Sequence, residues 1–324
     1  MHGIFLRFFL PVLLLGLMAP IVAMLFVEPS HGDLTRTGFL PERQFGRTEP
    51  QPPLLRRTRN AADSEASTLV VGDSFSGIGF WQEIALGRNE RYVTYSFGRL
   101  CSDIADTLRK KRLAPRVVII QVVERYFDER FFSSCDHSRL EDAAPNALLA
   151  DPEMPSRSIF SGSYGAKYVA GSLLYFLRRG EQHRPGHSGG VYVNPIADGC
   201  LLFSNRDCEF GLFLGDDRTM AGLPLDKFKS PVVSYLKDAG VQRILILPIP
   251  NKTSVYLEPV SKATLKDAYL AEFARQNGVE LVPLFERFDA DRRRTRDFYL
   301  PNDTHLSARG MKVLGEYVGE HFRK

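Results

Sequence analysis

Short apolar runs alternate with stretches of helical periodicity from residue 68 onward. The runs at 68–72, 91–97 and 116–123 predict strands, and the stretches at about 75–87 and 100–113 predict helices between them. Strands that alternate with helices form right-handed crossovers. The pattern therefore predicts a mainly parallel sheet with helices on both faces.

The same alternation returns near the carboxyl terminus. Helices are predicted near 225–239 and 261–277, strands at 241–247 and 279–284, and a closing helix at about 306–322. The two regions together predict a single α/β domain over 68–324, with a three-layer arrangement of helix, sheet and helix.

An insertion at about 129–224 separates the two regions. It contains a predicted helix at 164–179, a loop rich in Gly, Pro and His at 181–190, and a predicted hairpin around Val191–Phe203. We expect this helix-plus-hairpin segment to belong to the domain and not to form a second one.

The amino terminus carries twenty uncharged residues from Phe8 to Val27. A helix of that length crosses a bilayer. Arg7 precedes the run, while Glu28 and Asp33 follow it, which favours a cytoplasmic amino terminus. We predict an uncleaved signal anchor at 1–27; the alternatives are a cleaved signal peptide and, less favoured, a buried core helix.

Residues 28–67 are rich in Pro, Arg, Thr and Glu and show no sustained period. This composition predicts a tether with at most local structure between the anchor and the domain.

Charge and cysteine content restrict the classes of function that the chain can have. The chain has 324 residues and a net charge of +4 with both signs mixed, which argues against nucleic acid as a partner. Outside the cytoplasm disulfides are plausible, and Cys200 and Cys208 bracket a short polar segment that a disulfide would close. Cys101 and Cys135 could form a second bridge, and four buried thiols are the alternative. The chain shows no metal-ligand spacing, P-loop or dinucleotide glycine pattern, so we expect neither metal nor cofactor.

Ser74 stands where the first predicted strand meets the first helix. The segment Val70–Ser76 runs from an apolar strand through Gly72 and Asp73 into an amphipathic stretch. A serine there presents its hydroxyl at the carboxyl edge of the sheet, as an acyl-transfer nucleophile requires. The alternative is a helix cap. Asp73 is better placed to accept hydrogen bonds from turn amides than to act as acid or base.

Asp303 and His305 lie just before the closing helix, after the loop residues Pro301 and Asn302. An aspartate two residues before a histidine can fix its tautomer and stabilise its imidazolium. Loops that follow parallel strands gather at the carboxyl edge of the sheet. We therefore expect Ser74, His305 and Asp303 to form a catalytic triad, although Asp303 could instead be a surface turn residue.

These motifs resemble those of the SGNH (GDSL-like) hydrolase superfamily, which implies a flavodoxin-like α/β fold. Two further strings are similar to alginate O-acetyltransferases of the AlgJ and AlgX type: residues 118–127 with Glu124-Arg125-Tyr126, and residues 248–256 with Pro-x-Pro-x-Lys. The Asp303-Thr-His305 block also matches that family. The resemblance covers roughly 68–128 and 241–320. It implies that Lys252 and Tyr256 shape or bind the substrate, with a solvated helix start as the alternative. Arg125 could supply charge for substrate binding, but pairing with Glu124 that holds the loop is the favoured interpretation.

The order of the motifs departs from the AlgJ and AlgX pattern, because the serine block here precedes the Asp-Thr-His block. The substrate therefore cannot be carried over. Members of the superfamily also supply oxyanion donors from a glycine and an asparagine. Gly98 fits the glycine, whereas Glu124-Arg125 occupies the asparagine position. The backbone amides of Ser74 and Gly98 are then the expected main donors.

The resemblance implies an enzyme of the inner membrane with its catalytic domain in the periplasm. We expect it to move acetyl groups through a Ser74 acyl-enzyme to an exported polysaccharide, with a membrane acyltransferase partner as the source of acetyl groups. A carbohydrate esterase and a non-catalytic glycan-binding module are the alternatives.

Overall fold

The computed structural model describes residues 2–87, 90–97, 108, 111–132, 140–142, 147–148, 165–177, 186–188, 190–215, 217 and 229–323. The chain divides into two compact units, each of which is discontinuous in sequence. The first comprises 1–50, 153–216 and 300–304, and the second comprises 51–152, 217–299 and 305–324.

The described strands are numbered here in chain order. They are β1 (Leu55–Arg56), β2 (Thr68–Gly72), β3 (Tyr92–Phe97), β4 (Val117–Val123), β5 (Leu140–Asp142), β6 (Ala147–Leu148), β7 (Gly186–Ser188), β8 (Val191–Pro195), β9 (Phe210–Leu214), β10 (Arg243–Ile249) and β11 (Glu280–Leu281).

The described helices are numbered in the same way. They are α1 (His2–Phe26), α2 (Asp33–Gly38), α3 (Glu42–Phe45), α4 (Ser74–Gly77), α5 (Phe80–Leu86), α6 (Phe127–Phe132), α7 (Ala166–Leu177), α8 (Gly199–Leu202), α9 (Pro231–Asp238), α10 (Lys252–Tyr256), α11 (Val260–Asn277), α12 (Phe285–Arg292) and α13 (Ala308–Phe322).

The second unit is built on a six-stranded sheet in the order β11-β10-β4-β2-β3-β5. Five strands are parallel, and β5 pairs with β3 in the antiparallel sense. The predicted α/β class with a mainly parallel sheet is confirmed. The chain passes from β2 to its neighbour β3 on one side and then from β3 to β4 on the other side of β2, which makes the gap between β2 and β4 the topological switch point.

The core of the second unit consists of the apolar runs that predict its strands. All residues of β2 are buried, and Val118, Ile119 and Ile120 of β4 have no exposed surface. A strand covered by helices on both faces needs apolar side chains on both, which explains the unbroken run in β4. On one side α13 packs closely on α5, where Gly315 lies against Ile84.

Two local features differ from the predicted elements. The predicted helix at 75–87 is divided into α4 and α5 by Gly79, which has a φ of 77°. That left-handed conformation is accessible to glycine but interrupts a helix. The helix α12 was not predicted and follows β11 directly. Most of the predicted helix at 100–113 lies outside the described residues.

The first unit contains most of the insertion and residues 28–50 of the segment predicted as a tether, whose remainder belongs to the second unit. Its sheet is antiparallel in the order β7-β8-β9, and the β8–β9 connection contains the Cys200–Cys208 disulfide that was predicted. Residues 28–67 include α2, α3 and β1, and Leu34 and Phe45 are buried. The apolar residues of 28–50 are too sparse to show a period, because each helix there lasts only one or two turns.

The amino-terminal run forms α1, with exposed apolar side chains that include Phe8, Val12 and Leu25. Within the part of the chain that the structure describes, no helix is both long and apolar enough to cross a membrane. The signal anchor and the domain boundaries drawn from the sequence stay predictions.

Candidate active site

The turn that follows β2 is fixed by the Asp73 carboxylate. Its Oδ1 accepts a hydrogen bond from the Phe75 N–H at 3.0 Å, and its Oδ2 accepts one from the Val123 N–H at 2.8 Å. The first bond caps α4, and the second ties the turn to the end of β4. Asp73 therefore connects the two strands at the switch point, in keeping with the turn-stabilising role expected for it.

Gln121 supports the same turn from the middle of β4. Its Oε1 accepts hydrogen bonds from the Asp73 N–H at 3.1 Å and from the Ser76 hydroxyl at 2.7 Å. Ser76 lies directly over Gly72, where a Cβ would come within 2.2 Å of the Ser76 Oγ. This support was not predicted from the sequence, although Gln121 is a polar residue inside the apolar run of β4.

Ser74 and His305 come together in the second unit. The Ser74 Oγ and the His305 Nε2 are 2.7 Å apart, which is a hydrogen-bond distance. The His305 ring packs on the ring of the buried Phe75, with 4.9 Å between their centroids. Ser74 is exposed and His305 is partly exposed, so a substrate can reach the hydroxyl. A histidine in this position can take the serine proton as the hydroxyl attacks a carbonyl.

Asp303 belongs to the loop 300–304 of the first unit. Its Oδ2 accepts a hydrogen bond from the Asp33 N–H at 3.2 Å. The chain reaches His305 two residues later. The pairing of Asp303 with the His305 ring stays a prediction.

The expected oxyanion donors are only partly described. The Ser74 N–H donates to no acceptor among the described residues, which leaves it available to an oxyanion. Gly98 lies outside the described residues, as do Cys101 and Cys135, for which the second disulfide was predicted.

Arg125 contacts partners other than the one expected. Its Nη1 lies 3.2 Å from the Asp217 Oδ1 and 3.3 Å from the Asn251 Oδ1. Asp217 also accepts a hydrogen bond from the Thr253 hydroxyl at 2.6 Å. Burial is the largest single effect and lowers the pKa of Arg125, but the charge of Asp217, the interactions with Tyr126 and the charge of Asp73 together outweigh it and leave the pKa above its usual value. The guanidinium is therefore held by Asp217 and not by Glu124.

Glu124 is instead the centre of a buried polar network behind the sheet edge. Its Oε1 lies 2.6 Å from the Lys266 Nζ, and its Oε2 accepts hydrogen bonds from the Asn251 N–H and the Ser254 hydroxyl. Glu258 forms a second ion pair with Lys266. Because the Glu124 side chain is fully buried, its charge depends on these partners.

Lys252 and Tyr256 are buried, with exposed fractions of 2% and 7%. The Tyr256 hydroxyl accepts a hydrogen bond from the Tyr299 N–H at 3.4 Å, and burial raises the pKa of the Tyr256 phenol. The alternative considered from the sequence, in which Lys252 and Tyr256 lie on a solvated helix start, is wrong because both side chains are buried. The expectation that they bind substrate stays a prediction.

Two carboxylates approach each other in the first unit, but hydrogen-bond donors already occupy them. Asp33 accepts from the Thr304 N–H at 2.9 Å and from the Thr304 hydroxyl at 2.5 Å, while Asp303 accepts from the Asp33 N–H. A cation bound here would compete with those donors. The expectation that the protein uses neither metal nor cofactor stays a prediction.

Comparison with protein-family models, with curated proteins and with solved structures gave no significant match. What the site can do therefore has to be argued from its own geometry.

Proposed function

We propose that this chain is a serine-dependent acyl-transfer enzyme, and specifically an O-acetyltransferase of an exported polysaccharide. The observation that supports the proposal is the 2.7 Å distance between the exposed Ser74 Oγ and the His305 Nε2. This pair lies beside the gap between β2 and β4, where ligands of open α/β sheets commonly bind.

The reaction has two steps. The Ser74 Oγ attacks the acetyl carbonyl while His305 takes its proton, and the bond between acetyl group and donor then breaks as His305 protonates the leaving group. A sugar hydroxyl attacks the acetyl-serine ester in the second step and gives its proton to His305. The Ser74 Oγ leaves and recovers that proton. Asp303 would hold the imidazole in the required tautomer.

The acceptor and the location rest on the sequence resemblance and on the amino-terminal helix. The exposed apolar side chains of α1 suit a lipid environment, and an enzyme held at the outer face of the inner membrane meets polysaccharide during export. The acetyl group would reach it through a membrane acyltransferase partner.

A carbohydrate esterase is the second candidate, and the exposure of Ser74 favours it, because water can reach an acetyl-enzyme there. Incubating the full chain with p-nitrophenyl acetate and an oligosaccharide acceptor distinguishes the acetyltransferase from the esterase. Mass spectrometry should find acetylated oligosaccharide with the wild type and none with Ser74→Ala. If free acetate is the sole product at saturating acceptor, the protein is a hydrolase.

A further inference from the structure

The loop that contains Asp303 is held by the first turn of α2. The Asn302 carbonyl accepts a hydrogen bond from the Leu34 N–H at 3.1 Å, and the Asp303 Oδ2 accepts one from the Asp33 N–H at 3.2 Å. The Asp33 carboxylate in turn accepts both donors of Thr304. Three successive loop residues are therefore bound by residues about 270 positions earlier in the chain.

The approach of the two segments depends on glycine. A Cβ placed on Gly32 would lie 2.0 Å from the Asn302 carbonyl oxygen, so no other residue fits without moving the loop. Behind this contact the Glu42 carboxylate accepts hydrogen bonds from the Asn302 side-chain amide and the Thr35 hydroxyl. Glu42, Thr35 and Asn302 are all buried. Breaking one such bond leaves a buried group unpaired.

We propose that Asp33 is a positioning residue for Asp303. The Asp33 N–H fixes one oxygen of the Asp303 carboxylate, and the Asp33 side chain holds Thr304. Together these bonds keep the Asp303 carboxylate in one orientation. Small displacements of a group that orients a catalytic base reduce turnover strongly. This inference rests on the proposed function of Asp303.

Two substitutions separate the side chain of Asp33 from its amide. Asp33→Ala removes the carboxylate but keeps the N–H, whereas Asp33→Pro removes both. Asp33 is the first residue of α2, and Gly32 before it has φ −85° and ψ 149°. Proline is tolerated at that helix position, and this backbone conformation is one that a residue before proline adopts. Asp207→Ala is the matched control, because Asp207 is a hydrogen-bonded carboxylate of the same unit that contacts Tyr175.

The test measures kcat and KM for p-nitrophenyl acetate with the full chain in detergent. We expect kcat to fall about tenfold in Asp33→Ala and about a hundredfold in Asp33→Pro, with KM changed little. Asp207→Ala should keep the wild-type kcat. In an Asp303→Ala background, Asp33→Ala should cause no further loss, because the two residues act through one carboxylate.

Two results would overturn the inference about Asp33 and leave the proposed function standing. One is a wild-type kcat in Asp33→Ala; the other is an equal loss of kcat from Asp33→Ala in the wild type and in the Asp303→Ala background. Asp33→Ala keeps the test decisive if Asp33→Pro does not fold. Ser74→Ala distinguishes these results from failure of the proposed function. If Ser74→Ala retains activity, the serine mechanism fails and the role of Asp33 in it fails too.

Discussion

At the carboxyl end of β2, the Ser74 hydroxyl is surrounded by residues that fix its backbone and one residue that contacts the hydroxyl itself. Asp73 and Gln121 hold the turn through four hydrogen bonds, of which each side chain accepts two. Each bond contributes about 1 kcal/mol to stability. His305 is the neighbour that can move a proton. Because Asp73 and Gln121 fix the backbone on both sides of Ser74, the exposed Ser74 side chain keeps a defined position beside His305.

Asp128 of α6 gives a prediction about pH. Its Oδ1 is buried and has no hydrogen-bond partner among the residues that the structure describes, and burial raises the pKa of the Asp128 carboxyl. The folded state therefore holds this proton more tightly than the unfolded state. The free energy of unfolding should accordingly fall as the pH rises from the unfolded pKa, at about 4, through the raised folded pKa.

Asp128→Asn should remove this dependence. Thermal unfolding of both proteins between pH 4 and 8 should show the variant gaining stability over the wild type as the pH rises. A constant difference across that range would contradict the assignment.

Residues of the site differ in how far their sequence reveals them. The proximity of Ser74 and His305 could be predicted because Ser74 stands where a strand meets a helix, at the sheet edge where active sites form, and because His305 follows an aspartate just before the closing helix. Gln121 was visible as a polar interruption of an apolar strand, but its acceptor role depends on the position of β2. Asp33 gave no signal, because its partner lies about 270 residues away and no local pattern encodes that contact.

Among the elements of the second unit, β4 and β10 end in two polar clusters with different partners. Arg125 is held by Asp217 and Asn251, while Glu124 is held by Lys266 on α11 and by Ser254 on α10. Both clusters join the sheet edge to the helices that follow it. The Glu124 network is the more buried of the two, so it should matter more to stability.

The buried pair predicts a particular pattern in a double-mutant cycle. Lys266→Met alone should lower the free energy of unfolding by about 3–5 kcal/mol, because it leaves the buried Glu124 without an ion pair. Glu124→Leu alone should lower it less, because Lys266 keeps its ion pair with Glu258. The double variant should lose less than the sum of the two. Urea unfolding of the four proteins measures the difference. Additive losses would show that Glu124 and Lys266 do not interact.

The hydrophobic pattern predicted the strands of the parallel sheet better than the helices and turns that connect them. Buried strands such as β4 show long apolar runs that leave little ambiguity. Helix α12 was missed because its sequence, Phe285–Arg292, is mostly charged and only two turns long. The break at Gly79 was missed because one glycine within an amphipathic stretch does not reveal its φ.

At the scale of the whole molecule, the chain builds two units from interleaved segments. Its amino-terminal 50 residues share a unit with most of the insertion and with the loop 300–304, while His305 begins the last segment of the other. A polypeptide that starts at residue 68 would therefore lack part of the first unit.

The disulfide allows the stability of the first unit to be lowered without changing Ser74, His305, Asp303 or Asp33. Cys200 and Cys208 close a loop with a sequence separation of 8. Its removal should lower stability by about 2.5 kcal/mol through the entropy of the unfolded chain. The double substitution Cys200→Ser with Cys208→Ser should show this loss in urea unfolding. It should keep the wild-type rate of reaction at Ser74 under native conditions, and an equal loss of rate would contradict this expectation.

Trapping the acyl-enzyme shows whether His305 activates Ser74. The full chain is mixed with p-nitrophenyl acetate, quenched in acid within the first turnover, and digested for peptide mass spectrometry. We expect a single acetyl group on Ser74 in the wild type, formed about a thousandfold more slowly in His305→Ala. Equal acetylation rates with and without His305, or acetylation at residues other than Ser74, would contradict this prediction.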